Sequence, residues 1–224
     1  MHSLTFLTVL LIITVGYFLG NIQTAVIISK LCFSDDVRFY GSGNSGTTNM
    51  IRVYGRLYGA LTFLGDAGKS ALAFVLGRLL ARWLGLGMES MEADILMGGY
   101  IATVSAVLGH CYPVLYGFRG GKGAASAFSL MWCFYWPAAA LATVAVVVIF
   151  LLWKRMSVVS ILTAILYGIF VLVAHLLGWT PPYLVWFVLP VSALIVFRHK
   201  DNIKRLIRGE EKQLNLEEPM HPKS

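Results

Sequence analysis

Long apolar runs separated by short polar segments make up most of this chain. Runs of about twenty apolar residues can cross a hydrocarbon core as helices. The pattern therefore predicts an all-α integral membrane protein with seven transmembrane helices. The predicted spans are residues 4–28, 57–81, 93–110, 124–136, 137–153, 157–178 and 183–197. The segment 124–153 could instead be one long helix, but Pro137 indicates a break within it.

The positions of lysine and arginine decide between six spans and seven. With seven spans and the N-terminus outside, fifteen of the eighteen basic residues fall on one face. Six spans would divide the basic residues about evenly between the two faces. Because positive charge concentrates on the cytoplasmic side, the pattern favours seven spans and a cytoplasmic C-terminus. We expect one membrane domain over residues 1–208 and a polar cytoplasmic tail over 209–224.

Composition excludes several classes of protein. The chain is 58% hydrophobic and 13% charged, whereas about 25% of a soluble domain is charged. The net charge of +7 lies in short loops, and no nucleic-acid-binding motif is present, so we expect no nucleic-acid partner. The three cysteines lack metal-ligand spacing. We predict no metal site and no cofactor.

The first polar segment, Ser42–Asn49, is followed by Arg52. Its glycines leave backbone N–H groups accessible, and its hydroxyl and amide groups add further donors. Such a segment is typical of a phosphate-binding loop. The candidate ligands are Ser42, Gly43, Asn44, Gly46, Thr48, Asn49 and Arg52. The alternative is a loop in which these residues only make turns.

Two further segments bear cations. The second contains Gly120, Gly121, Lys122 and Gly123 just before the short fourth helix. A helix start favours an anion, although the segment could be an ordinary basic turn. The third segment, Arg198–Arg205, closes the last span and contributes His199, Asn202 and Arg205. Its charges could also serve only to stop membrane translocation.

Nucleotide-binding motifs do not fit this chain. Gly41, Gly43 and Gly46 have the spacing of the dinucleotide fingerprint, but a membrane span precedes them instead of a strand. Asp66 and Lys69 lie three residues apart on one face of the second span. Charges at that depth usually pair inside a helix bundle. A purely structural ion pair and a supporting role in the site both remain open.

These segments resemble the motifs of the acylphosphate-dependent glycerol-3-phosphate acyltransferase family, PlsY. The matching stretches are Ser42 to Arg52, Phe118 to Gly123 and Arg198 to Leu206, together with the Asp66 and Lys69 pair. The resemblance covers essentially the whole chain. Ser45 and Thr47 depart from the usual residues, but neither departure removes an expected charged or hydrogen-bonding group.

The resemblance implies transfer of a fatty acyl group from acyl phosphate to the 1-hydroxyl of sn-glycerol 3-phosphate. The products would be lysophosphatidic acid and inorganic phosphate, in the first step of phospholipid synthesis. The implied catalytic residues are Ser42, Asn44, Arg52, Lys122, His199 and Asn202. The implied phosphate-binding residues are Gly43, Gly46, Thr48, Asn49, Gly120, Gly121, Gly123 and Arg205, with Asp66 and Lys69 in support.

The same resemblance implies a bacterial cytoplasmic (inner) membrane protein with its active site on the cytoplasmic side. Its partners would be the two substrates, membrane lipid and the soluble enzyme that produces acyl phosphate. Two other functions remain as alternatives. A carrier of a phosphorylated solute would also suit intramembrane charges and glycine-rich loops, but no inverted repeat is visible. A scaffold for lipid-synthesis enzymes would leave the phosphate-binding segments unexplained.

Overall fold

The computed structural model describes residues 2–86, 90–214 and 220, and the described residues include no β-strand. Within these residues, ten α-helices follow one another. They are α1 His2–Asn21, α2 Thr24–Phe33, α3 Thr47–Tyr54, α4 Arg56–Leu84, α5 Met91–Cys111, α6 Ala124–Phe134, α7 Trp136–Trp153, α8 Met156–Leu176, α9 Pro182–Arg198 and α10 Lys200–Ile207. Single turns of 3-10 helix lie at Val37–Phe39 and Val114–Tyr116.

Five stretches of the described chain are long and apolar enough to cross a membrane. They are Thr5–Phe33, Arg56–Leu84, Met91–Tyr116, Trp136–Trp153 and Met156–Leu176. A sixth is obtained if α9 and α10, which meet at a bend of 55°, are counted together. The all-helical membrane architecture is thus confirmed, whereas the count of seven spans and the orientation of the termini stay predictions.

The break inside the predicted 124–153 segment is present. Helix α6 ends at Phe134, Tyr135 is extended, and α7 begins at Trp136. Pro137 therefore lies in the first turn of α7 instead of ending α6. A proline is tolerated there because first-turn N–H groups have no partner within the helix. The consequence is a short α6 of 11 residues.

Glycine and alanine allow α1, α4 and α5 to pack with their backbones in close contact. A Cβ atom on Gly77 of α4 would collide with the carbonyl of Gly98 on α5. A Cβ atom on Gly20 of α1 would likewise collide with the carbonyl of Ala106. Small residues are the usual means by which membrane helices approach this closely. The packing fixes the C-terminal end of α5, where His110 lies.

The start of the predicted tail lies against the helices. The amide N–H of Leu214 donates to the carbonyl of Lys154 at 2.9 Å. The Arg155 Nε–H donates to the Glu211 carbonyl at the same distance. Residues 215–219 and 221–224 lie outside the described residues, and the boundary predicted at 208 stays a prediction.

Candidate functional site

The first polar segment leads into α3, which begins at Thr47. The Asn49 side chain holds the segment in shape, since Oδ1 accepts from the Ser42 N–H at 2.8 Å and Nδ2 donates to the Tyr40 carbonyl at 3.0 Å. Gly43 has a φ of +70°, a conformation that side chains disfavour. Among the described residues, no side chain caps α3. The Asn49 N–H donates to the Gly46 carbonyl at 3.0 Å, which leaves the N–H groups of Thr47 and Thr48 available to an anion.

Buried hydrogen bonds fasten this segment to α5. The Ser45 hydroxyl donates to Gln23 Oε1 at 2.9 Å, and Gln23 Nε2 donates to the His110 carbonyl at 3.2 Å. Ser45 and Gln23 are both almost wholly buried. Gln23 stands at the joint between α1 and α2. The first segment is therefore held in place by Gln23, at the joint between α1 and α2, and by the C-terminal end of α5.

The second segment is also hydrogen-bonded to His110. The Gly121 N–H donates to the His110 carbonyl at 3.1 Å, and a Cβ atom on Gly121 would collide with the imidazole ring of His110. Arg198 Nη2 donates to the carbonyls of Gly120 and Gly121 at 3.2 and 2.8 Å. These two glycines thus allow close packing. Gly123, at a φ of +83°, turns the chain into α6.

Lys122 lies between these glycines, at the start of α6. Its ammonium donates to the Asn202 Oδ1 atom. Burial lowers the pKa of Lys122 to about 8, and the neighbouring charge of Arg205 acts in the same direction. A partly dehydrated ammonium of this kind is a strong partner for an anion.

The third segment joins α9 to α10. His199 is 4% exposed, and its Nδ1 atom lies 2.8 Å from the Ile195 carbonyl. Because a carbonyl only accepts, Nδ1 carries a proton, and Nε2 is the acceptor in the neutral ring. Arg205 Nε donates to Glu211 Oε2 at 2.7 Å. The phosphate-binding role expected for Arg205 stays a prediction, since its described partner is this carboxylate.

One cavity of about 180 Å³ brings the three segments together. The predicted site residues that line it are Ser42, Asn44, Gly46, Thr48, Asn49, Asp66, Lys122, Gly123 and His199. Those outside its lining are Gly43, Arg52, Lys69, Gly120, Gly121, Asn202 and Arg205. Within the described part of the chain, the buried Thr47 Oγ1 at its wall has no hydrogen-bond partner. Residues in the first turns of both α3 and α6 line this cavity.

Apolar side chains also line the cavity. They come from α4, α6, α7 and α8 and include Phe63, Phe128, Met131, Val146 and Val159. A single space therefore combines anion-binding groups with a surface suited to a hydrocarbon chain. This combination fits an amphiphilic phosphorylated molecule.

Asp66 and Lys69 form a buried cluster in α4. Lys69 Nζ donates to Asp66 Oδ1 at 2.8 Å and to the carbonyl of Ile22 at the α1–α2 joint. It also lies 2.9 Å from His110 Nδ1, which must be the acceptor because an ammonium only donates. Thr24 Oγ1 donates to Asp66 Oδ1 at 3.0 Å. The pair thus connects α2, α4 and α5, and Asp66 also reaches the cavity wall.

A family model described as glycerol-3-phosphate acyltransferase matches residues 10–209 of the chain. The chain belongs to this family. The resemblance predicted from the three polar segments is thereby confirmed, and the family places the protein among the membrane acyltransferases of phospholipid synthesis.

Glycerol-3-phosphate acyltransferases from two organisms align with most of this chain. The glycerol-3-phosphate acyltransferase of Pseudomonas paraeruginosa (strain DSM 24068 / PA7) is 38% identical over 202 residues, covering 90% of this chain and 97% of that protein. That of Neisseria meningitidis serogroup C (strain 053442) is 36% identical over 205 residues, covering 90% and 95%.

Two crystal structures are also similar, both of PlsY (YgiH), an integral membrane glycerol 3-phosphate acyltransferase. The glycerol 3-phosphate form has a TM-score of 0.78 and 30% identity, covering 92% of this chain and 96% of that one. The lysophosphatidic acid form has a TM-score of 0.74 and 29% identity, covering 93% and 96%.

Several residues at this family site were not identified from the sequence. Gln23 and Thr24 were counted within an apolar span, although two adjacent polar residues there were a usable signal. His110 ends a span, and nothing in its neighbours indicated that two distant segments meet at its carbonyl. Glu211 lies among other charged residues of a polar segment, and nothing near it in the sequence indicated its contact with Asn202.

We expect Asp66→Asn to destabilise the protein, because it leaves the buried Lys69 ammonium without a counter-charge. Removing one partner of a buried ion pair costs about 3–5 kcal/mol. Thermal unfolding in detergent should show a clear fall in the midpoint. The double variant Asp66→Asn/Lys69→Met should recover part of this loss. Equal midpoints for wild type and Asp66→Asn would contradict a stabilising role for the pair.

Proposed function

We propose that the protein transfers a fatty acyl group from acyl phosphate to the 1-hydroxyl of sn-glycerol 3-phosphate. The products are 1-acylglycerol 3-phosphate (lysophosphatidic acid) and inorganic phosphate. The observation that carries the proposal is one cavity lined both by the three polar segments and by apolar side chains such as Phe63 and Phe128. Acyl phosphate has the same two parts, a phosphate joined to a hydrocarbon chain.

The proposed reaction is a direct transfer. The glycerol hydroxyl oxygen attacks the acyl carbon, the bond from that carbon to the phosphate oxygen breaks, and the hydroxyl proton passes to the phosphate. An acyl phosphate is a mixed anhydride with a good leaving group, so no acyl-enzyme is needed. Orientation of two bound reactants can supply roughly 7–11 kcal/mol of the barrier. The remaining requirement is neutralisation of two phosphate groups that repel each other.

We assign the phosphate of acyl phosphate to the first segment and that of glycerol 3-phosphate to the second. Ser42, Asn44 and the first-turn N–H groups of α3 would hold one, with Arg52 nearby in α3. Lys122 and the first turn of α6 would hold the other. His199 lines the same cavity, while Asn202 holds the Lys122 ammonium. Gly120 and Gly121 act through packing against His110 in this assignment.

The proposed location is the bacterial cytoplasmic membrane, with the cavity opening toward the cytoplasm. The support is the concentration of lysine and arginine on the face that carries the three polar segments. In this arrangement acyl phosphate comes from a soluble enzyme and glycerol 3-phosphate from the cytoplasm. The lipid product then leaves into the surrounding membrane.

Donor choice is the first test. Purified protein in detergent should form lysophosphatidic acid from glycerol 3-phosphate and acyl phosphate, with release of inorganic phosphate. Acyl-CoA should not replace acyl phosphate, since the proposed reaction needs a phosphate leaving group held by the polar segments that line the cavity. Equal or faster turnover with acyl-CoA would contradict the proposal. Transport of glycerol 3-phosphate into sealed vesicles without acyl transfer would favour the carrier.

Lys122→Ala should lower acyltransferase activity at least tenfold. A charge-assisted hydrogen bond in a partly dry site contributes about 1.5–3 kcal/mol, and about 1.4 kcal/mol corresponds to a factor of ten. Lys122→Arg should restore little, because a planar guanidinium does not replace a compact ammonium beside close-packed glycines.

Arg119→Ala is the matched control for Lys122→Ala. Arg119 is a basic residue of the same segment, but its side chain is exposed and does not line the cavity. Arg119→Ala should keep wild-type kinetics. Equal losses in the two variants would indicate that the segment acts only through its total charge.

Orientation can be measured with a membrane-impermeant thiol reagent. After Cys32→Ser removes the exposed native thiol, Phe39→Cys and Lys212→Cys should react only from the cytoplasmic side. Both positions are exposed. Ser90→Cys, exposed at the start of α5, should react only from the outside. Reaction of positions 39 and 212 from opposite sides would rule out the seven-span arrangement.

A further inference from the structure

The Glu211 carboxylate is bound at both of its oxygens by residues of α10. Oε1 accepts from Asn202 Nδ2 and Oε2 accepts from Arg205 Nε, each at 2.7 Å. The Glu211 side chain is only 10% exposed, although it follows the last helix. Its carbonyl accepts from Arg155 Nε at 2.9 Å. This part of the tail is therefore fixed to the turn between α7 and α8 as well as to α10.

The amide of Asn202 connects Glu211 to Lys122. An asparagine amide has one donor end and one acceptor end. Because Nδ2 donates to Glu211, Oδ1 must face the opposite way, and there it accepts from the Lys122 ammonium. If the amide were reversed, its NH₂ group would face the ammonium, with donor against donor. Asn202 is 7% exposed, so water has little access to replace the lost contact.

Glu211 lies behind the cavity wall. Lys122 lines the cavity, whereas Asn202, Arg205 and Glu211 do not. The carboxylate therefore does not occupy the space into which a phosphate would enter. Its two oxygens are already occupied by α10, which makes it a support for the wall.

We propose that Glu211 is a positioning residue for acyl transfer, acting through Asn202 to hold the Lys122 ammonium at the cavity. The proposal rests on the proposed function. It also places the start of the tail within the catalytic unit.

The charge of Glu211 acts on Lys122 as well. Burial, Arg205 and Arg198 lower the pKa of Lys122, whereas Glu211 and Asp201 raise it. His199 is the other titratable group beside this ammonium. Loss of the Glu211 charge should lower the pKa of Lys122 below its value of about 8. The ammonium would then lose its proton at lower pH, and activity would decline earlier as the pH rises.

The test compares Glu211→Ala and Glu211→Gln with Glu210→Ala in full-length purified protein. Glu210 is the adjacent carboxylate and is exposed. Glu211→Ala should lower kcat/KM at least tenfold and move the alkaline limb of the pH profile to lower pH. Glu211→Gln keeps an acceptor oxygen for Asn202 but not the charge. Glu211→Gln should move the alkaline limb of the pH profile by a similar amount, with a smaller loss of kcat/KM. Glu210→Ala should match wild type.

A second measurement does not depend on turnover. The rate at which an amine-reactive reagent modifies Lys122 can be followed against pH by peptide mass spectrometry. The pH at the midpoint of Lys122 modification should fall in Glu211→Gln, and the similar size of glutamine favours normal folding. The midpoint should stay unchanged in Glu210→Ala. An unmoved midpoint together with wild-type kinetics in both Glu211 variants would overturn the proposal. A lower KM for glycerol 3-phosphate would also overturn it, since that result indicates a carboxylate that competes with substrate.

The two measurements separate this proposal from the proposed function. Wild-type protein without acyl transfer from acyl phosphate would contradict the function. The modification midpoint would still decide whether Glu211 controls the Lys122 ammonium.

Discussion

The carbonyl of His110 is the point on which the geometry of the site depends. It accepts from Gln23, which holds the first segment through Ser45, and from the N–H of Gly121 in the second. A buried carbonyl at a helix end needs partners because its own helix no longer supplies them. Here the partners come from the two segments that line the cavity. The requirement to satisfy one backbone group thus places both proposed phosphate sites at a fixed separation.

Hydrogen bonds from the buried Lys69 ammonium also hold the C-terminal end of α5. Lys69 satisfies the Ile22 carbonyl at the α1–α2 joint, Asp66 and the His110 ring together. An ammonium in this position can donate three hydrogen bonds, and all three partners are acceptors. All three side chains of the cluster, Asp66, Lys69 and His110, are buried. A rigid support of this kind suits a reaction whose catalysis rests mainly on positioning.

Much of the framework was predictable because its signals are local. Apolar runs defined the long helices, Pro137 marked the break before α7, and clustered glycines, hydroxyls and cations marked the segments at the cavity. What the sequence did not indicate depends on contacts between distant residues. Gly120 and Gly121 were expected at a phosphate, but their proximity to His110 is visible only in three dimensions. Glu211 was assigned to a polar tail, although it is hydrogen-bonded to Asn202 and Arg205.

The central claim is that one cavity receives the phosphate of glycerol 3-phosphate at Lys122 and the first turn of α6. Equilibrium binding by titration calorimetry tests it most directly, in the absence of any acyl donor. Wild-type protein should bind glycerol 3-phosphate and not glycerol, inorganic phosphate should compete, and Lys122→Ala should weaken binding at least tenfold. Binding of equal strength to wild type and Lys122→Ala, or equal binding of glycerol, would contradict the account.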